Sequence, residues 1–155
     1  MINNIGYALI TVFGVGKLPK MPGTFGSIAA MPLLWIMSHE KPSIIICGII
    51  FILINIVSTI AIRNYQKLSG THDSSIIVID EVIGMYTGWL ICRPSNFTEI
   101  ILLFILFRFF DITKIWPASY FDKKNGSFSV IADDIVAGVF TGLILIIMKN
   151  YANFN

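Results

Sequence analysis

The chain has 155 residues, of which 55% are hydrophobic and only 13% charged, and its mean hydropathy is +0.79. So apolar a composition excludes an ordinary water-facing globule, and a net charge of +2 with no basic stripe excludes nucleic acid as a partner. The solvent that suits this sequence is a bilayer.

Residues 21–38 carry no charge, follow Lys17 and Lys20, and stop at His39, Glu40 and Lys41, which predicts a spanning or half-spanning helix. Residues 42–62 read PSIIICGIIFILINIVSTIAI, and an uncharged run of about 20 residues matches the hydrocarbon core of a membrane. Its internal position separates it from a cleaved signal peptide. The apolar runs at 82–92, 100–107 and 135–148 are each short of a crossing, which predicts helices shielded partly by protein. The expected fold is therefore all-α, a compact bundle of transmembrane and partly buried helices forming one membrane domain over residues 1–155.

Nearly all the charge lies in three segments: Lys17 with Lys20, residues 63–81, and residues 108–134. They alternate with the charge-poor connectors 39–42 and 93–98, so helices of alternating direction would place all three on one side. Their excess of Lys and Arg predicts that this side is cytoplasmic, with the N-terminus inside and the C-terminus outside. Cys47 and Cys92 lie in apolar surroundings and read as packing residues, since neither belongs to a CxxC or Cys/His cluster. His39 and His72 are too few for a histidine metal site, although His72 lies beside Asp73 in a polar loop.

Five of the nine acids fall in three places next to apolar runs: Asp80-Glu81, Asp111 and Asp133-Asp134. Ionisable groups there are costly unless they pair or bind ions, which makes them site candidates. The two acid pairs are each expected to open a helix, where an N-cap role would account for one acid but not for two. Carboxylates brought together from separate helices form the oxygen donor set that a hard cation such as Mg²⁺ requires.

The two acidic segments also repeat. At an offset of 54, residues 80–88 align without a gap on residues 134–142, each with an acid followed by glycine four and eight residues later. On a helix these positions form one stripe, so Asp80 leads to Gly84 and Gly88, and Asp134 to Gly138 and Gly142. Glycines so spaced let helices approach closely in lipid, and Gly26 with Ala30 has the same spacing. A seam between two parallel helices would then bring Asp80 and Asp134 together at its mouth.

The cationic partners lie in RFFDITKIWP, where Arg108, Asp111 and Lys114 recur every three residues. A helix would place them on one broad face, with Phe109, Phe110, Ile112 and Ile115 toward lipid or core. A solvated salt-bridge ladder is the alternative to a partly buried ladder that binds a ligand. Arginine beside carboxylate-held Mg²⁺ suits a phosphate group, which the guanidinium grips in a fork. Lys17 and Lys20 in GKLPKMPGTFGS precede a helix start at Pro22-Gly23-Thr24 whose free N–H groups could cradle an anion.

The segments GKLPKMPGTFGSIAAMP, IIVIDEVIGM and FRFFDITKIWP followed by ADDIVAG, in that order, resemble the phosphatidylglycerophosphatase A family over about residues 14–142. The resemblance implies an Mg²⁺-dependent helical enzyme of the bacterial inner membrane, its site facing the cytoplasm. Such an enzyme removes the terminal phosphate of phosphatidylglycerophosphate to leave phosphatidylglycerol. By position it implies catalytic roles for Asp80, Glu81, Asp111 and Asp134, and metal ligation by Asp80, Glu81, Asp133 and Asp134. Substrate binding would fall to Lys20, Gly23, Thr24, Gly26, Arg108 and Lys114. The chain departs from the family at GSFSVIADD, where glycine is usually richer. Two rival readings are a phosphatidyltransferase, whose aspartate-rich motif is missing, and a cation transporter, which would carry its carboxylates near mid-membrane.

Overall fold

The computed structural model describes residues 4–71, 74–122 and 126–153. Among them the chain is all-helical: α1 (Asn4–Ile10), a 3-10 turn (Val15–Lys17), α2 (Pro22–Glu40), α3 (Ile44–Ser69), α4 (Ile79–Cys92), α5 (Phe97–Thr113), α6 (Ala118–Asp122) and α7 (Ser127–Asn153). His72, Lys123 and Lys124 lie outside the described residues.

Local chemistry sets these limits. Pro22 occupies the first turn of α2, where its missing N–H costs nothing. Asn96 caps α5 by accepting from the Glu99 N–H at 2.9 Å, while the Glu99 carboxylate accepts from the Ser95 N–H at 2.8 Å. Gly70 closes α3 in the left-handed region at φ 69°. Pro32 stands inside α2 without ending it, as membrane helices tolerate.

The helix α4 is the axis of the bundle and packs against α2, α3, α5 and α7. The repeated glycines explain its closest contact. A Cβ at Gly138 would collide with the Gly84 carbonyl oxygen, and one at Gly142 would lie 3.0 Å from the Gly88 carbonyl oxygen. Gly84 pairs with Gly138, and Gly88 with Gly142, so α4 and α7 run parallel and in register with backbone against backbone. Around them the core is Trp89, Phe107, Met85, Ile100, Leu103 and Leu145, all buried.

Contacts at the two ends show the helices alternating in direction. Trp89 donates to Ser38 at 2.7 Å, the Tyr86 hydroxyl donates to the Cys47 carbonyl at 3.0 Å, and Lys149 meets Glu99 at 2.8 Å. These bring the end of α2, the start of α3, the end of α4, the start of α5 and the end of α7 together. At the opposite end Ser127 donates to Gln66 at 2.7 Å and Lys114 meets Asp133 at 2.9 Å. The charge-rich segments thus share one end, as their alternation in sequence predicts.

Two helices, Ile44–Ser69 and Ser127–Tyr151, are long and apolar enough to cross a membrane. Little of α3 is buried, and its outward face displays Ile45, Ile49, Ile52, Ile56 and Ile60. A soluble core helix hides such a face; lipid would cover this one.

Two expectations are corrected. The pair Asp133-Asp134 does not open a helix, because α7 begins at Ser127 and the acids lie in its second turn. They are held by continuous helix and do not cap it. Lys114 does not share the helical face of Arg108 and Asp111: it is the left-handed residue at φ 44° that ends α5.

Candidate active site

Three helix ends and one helix interior assemble the site. The first turn of α4 supplies Asp80 and Glu81, the second turn of α7 supplies Asp133 and Asp134, the last two turns of α5 supply Arg108 and Asp111, and the first turn of α2 supplies Gly23. Together with Lys114 they line a cavity of about 370 Å³, whose wall also includes Met21, Ser74, Phe121, Gly126 and Ser129.

One ligand oxygen from each of Asp80, Glu81 and Asp134 lies within 4.8 Å of the other two. The parallel glycine seam produces this convergence, because each aspartate lies one turn before the first glycine of its stripe. Carboxylates this close repel one another in a largely buried setting, and a cation between them relieves that repulsion. Glu81 Oε2 is buried without a hydrogen-bond partner among the described residues. An unsatisfied buried oxygen beside two other carboxylates is the donor chemistry of a hard divalent ion, so these residues fit Mg²⁺.

Cationic groups flank the acids. Arg108 donates from Nη1 to Asp111 at 2.5 Å, and its Nε is buried without a partner. Asp111 therefore fixes one branch of the guanidinium and leaves donor capacity on the rest. Lys114 is paired with Asp133 at 2.9 Å, across from the three-carboxylate group. Gly23 closes the other side. A Cβ there would collide with Glu81 Oε1 and lie 3.3 Å from Arg108 Nη1, so any larger residue would push the Glu81 carboxylate out of this position.

A family model described as phosphatidylglycerophosphatase A matches residues 8–149 of the chain. A phosphatidylglycerophosphatase A of Escherichia coli K12 is 32% identical, covering 93% of this chain and 83% of its own length. The chain belongs to the phosphatidylglycerophosphatase A family. A second family relative, from Haemophilus influenzae, is 30% identical over 90% of this chain and 85% of its own. A Bacteroides thetaiotaomicron protein, 29% identical over 90% of both chains, is named provisionally as a phosphatidylinositol-3-phosphatase. No solved structure matches the chain. As a member of the phosphatidylglycerophosphatase A family the chain is a phosphatase enzyme.

Of the residues expected from sequence, Asp80, Glu81, Asp111, Asp133, Asp134, Arg108, Lys114 and Gly23 line the one cavity. Three do not. Lys20 is exposed beside the rim, and Gly26 is buried against Val78, where a Cβ would lie 2.9 Å from the Val78 Cβ. Gly26 is therefore a packing glycine, as its spacing with buried Ala30 suggests. Thr24 stands outside the lining, with its hydroxyl oxygen buried and unpartnered. Sequence reasoning missed Gly126, Val130 and Ser129. The signal was present, since Gly126 and Val130 lie eight and four residues before Asp134, and Ser129 four before Asp133.

Proposed function

We propose that this chain hydrolyses the terminal phosphate monoester of phosphatidylglycerophosphate to phosphatidylglycerol and inorganic phosphate, with Mg²⁺ as cofactor. The observation that carries the reading is the meeting of three mutually close carboxylates with Arg108 and Lys114 around one cavity. Asp80, Glu81 and Asp134 would hold the cation, with Asp133 beside them and oriented by Lys114. Bound there, Mg²⁺ supplies Lewis acidity and positive charge for the phosphoryl oxygens.

Arg108 binds the phosphoryl group through the donors that Asp111 leaves available, and Lys114 adds a second cation at the cavity wall. Water attacks phosphorus in line, the bond from phosphorus to the glycerol oxygen breaks, and the departing oxygen takes a proton. No side-chain nucleophile is required, and neither cysteine nor histidine lines the cavity among the described residues. The apolar outer faces support a multi-pass protein of the bacterial inner membrane. The Lys and Arg excess of the cavity end supports a cytoplasmic orientation.

The deciding experiment measures inorganic phosphate release from phosphatidylglycerophosphate by the purified protein, with and without Mg²⁺. The name of the Bacteroides relative makes phosphatidylinositol 3-phosphate the second substrate to include. Release that depends on Mg²⁺ and favours phosphatidylglycerophosphate is expected. A folded preparation that releases no phosphate in a metal-dependent manner overturns the proposal.

A further inference from the structure

Resting on the lipid-phosphatase reading, we propose that the outer face of α2 and α5 is the track along which the substrate's acyl chains lie while its phosphate occupies the cavity. The cavity rim and two apolar ridges carry this inference.

Met21 lines the cavity and is also 64% exposed, which places it at the rim. Exposed Phe25 and Ile28 follow it on α2 at helical spacing. On α5 the exposed residues Ile101, Ile105, Phe109 and Ile112 form a second ridge. Phe109 directly follows Arg108 and Ile112 directly follows Asp111, so the apolar ridge stands about 100° around α5 from the charged edge. A lipid lying on the ridge needs only to bend around one helix to present its headgroup to Arg108.

The two ridges belong to neighbouring helices. Trp35 of α2 meets Phe97 of α5 edge-on at 5.5 Å between ring centroids, and the Gly23 position adjoins Arg108. Met21 and Gly23 both line the cavity, so the α2 ridge ends at its wall. From Ile101 to Ile112 the α5 ridge rises about 16 Å, close to half of the roughly 30 Å hydrocarbon core and thus to one leaflet.

The face of α3 is the contrast. It is at least as apolar and as exposed, with Ile52 at 58%, but no residue of α3 lines the cavity and its apolar run ends at exposed Arg63 and Asn64. That face contacts lipid without leading anywhere.

The test compares long-chain phosphatidylglycerophosphate in vesicles with its deacylated, water-soluble counterpart. Phe25→Ser and Phe109→Ser should each raise KM for the long-chain substrate about threefold to tenfold at unchanged kcat. They should leave hydrolysis of the deacylated compound unaltered. Ile52→Ser on α3 should change neither. Equal slowing of both substrates, or an equal effect of Ile52→Ser, overturns the track. A second measurement needs no turnover and no variant: phosphatidylglycerophosphate with a diazirine at the chain end is photolysed on the wild-type protein in phosphatidylcholine vesicles. Label should concentrate on α2 and α5 and be displaced by unlabelled substrate. Label spread evenly over α3 refutes the track. Absence of phosphate release from both substrates would count against the phosphatase reading itself, while the labelling pattern would still decide the track.

Discussion

At the end of the bundle remote from the cavity, Lys149 binds Glu99 and donates to the Cys92 and Arg93 carbonyls at 3.2 Å. Arg93 lies over the Trp89 ring and donates to the Pro42 carbonyl at 2.8 Å. Those cations close helix ends, and the protein itself supplies their partners. At the cavity end, Glu81 Oε2 and Arg108 Nε are buried without hydrogen-bond partners among the described residues. Leaving such atoms unmade is expensive, so the contrast separates charge that holds the bundle from charge reserved for a ligand.

The comparison breaks most readily at the carboxylates. Asp80→Asn removes one of the three converging groups and should lower phosphate release about a hundredfold to a thousandfold, the scale of losing one preorganised electrostatic group. Because it also relieves repulsion, the variant should unfold at a higher temperature than wild type when no divalent ion is present. A thermal melt with and without Mg²⁺ checks this: the rise on adding Mg²⁺ should be large for wild type and small for Asp80→Asn.

Arg108→Lys comes next, with an expected loss of about tenfold to a hundredfold in kcat/KM, the worth of one charge-assisted hydrogen bond. Lysine keeps the charge but cannot satisfy Asp111 and a phosphoryl oxygen in one fork. Lys123→Ala and Lys124→Ala, assayed beside it, should have milder effects; equal effects would deny Arg108 a bidentate role.

Gly138→Ala sharpens the link between packing and site. Its Cβ meets the Gly84 carbonyl oxygen, so α4 and α7 must separate at a cost of about 1–3 kcal/mol, and Asp80 must move from Asp134. Activity should fall and be partly restored by higher Mg²⁺, a rescue that Asp80→Asn should not show. A Mg²⁺ titration of both variants distinguishes a displaced ligand from a missing one.

The smallest effect is expected at the other end. Lys149→Ala should cost about 1–2 kcal/mol of stability, as for a partly exposed ion pair that also closes a helix end, with kcat unchanged. Denaturant unfolding alongside the phosphate assay would show it, and a large loss of kcat would erase the distinction between the two ends.

Much of this architecture is legible in the residues because the bilayer makes it so. An uncharged run of about 20 residues satisfies its backbone there as a helix, and acids beside such runs are costly unless they pair or bind ions. The repeated acid and glycine stripe foretells the α4–α7 seam, since the period of a helix alone fixes which residues face the partner. Where the reading stops short, local propensity was outweighed by packing. SFSVIA is rich in serine and β-branched residues, yet α7 starts there, with Ile131 and Ala132 buried in the bundle. The same shortfall hid Ser129 and Val130. Lys20 shows the converse limit: sequence proximity to a helix start does not fix which way the chain turns, and a left-handed backbone at φ 63° leaves its side chain exposed.

The axial helix is also the shortest of the five long helices α2, α3, α4, α5 and α7. With 14 residues α4 is about 21 Å long, against roughly 39 Å for the 26-residue α3 and 40 Å for the 27-residue α7. A hydrocarbon slab of about 30 Å is thicker than α4, so its two ends cannot both reach water. At the cavity end α7 starts seven residues before Asp134, the residue in register with Asp80, so the first turn of α4 lies below the start of its longer partner. On the proposed lipid-phosphatase reading the phosphate would descend toward Asp80 and Glu81, and bilayer thickness would be a variable of the chemistry, because a thicker leaflet would lift the headgroup away from a short helix.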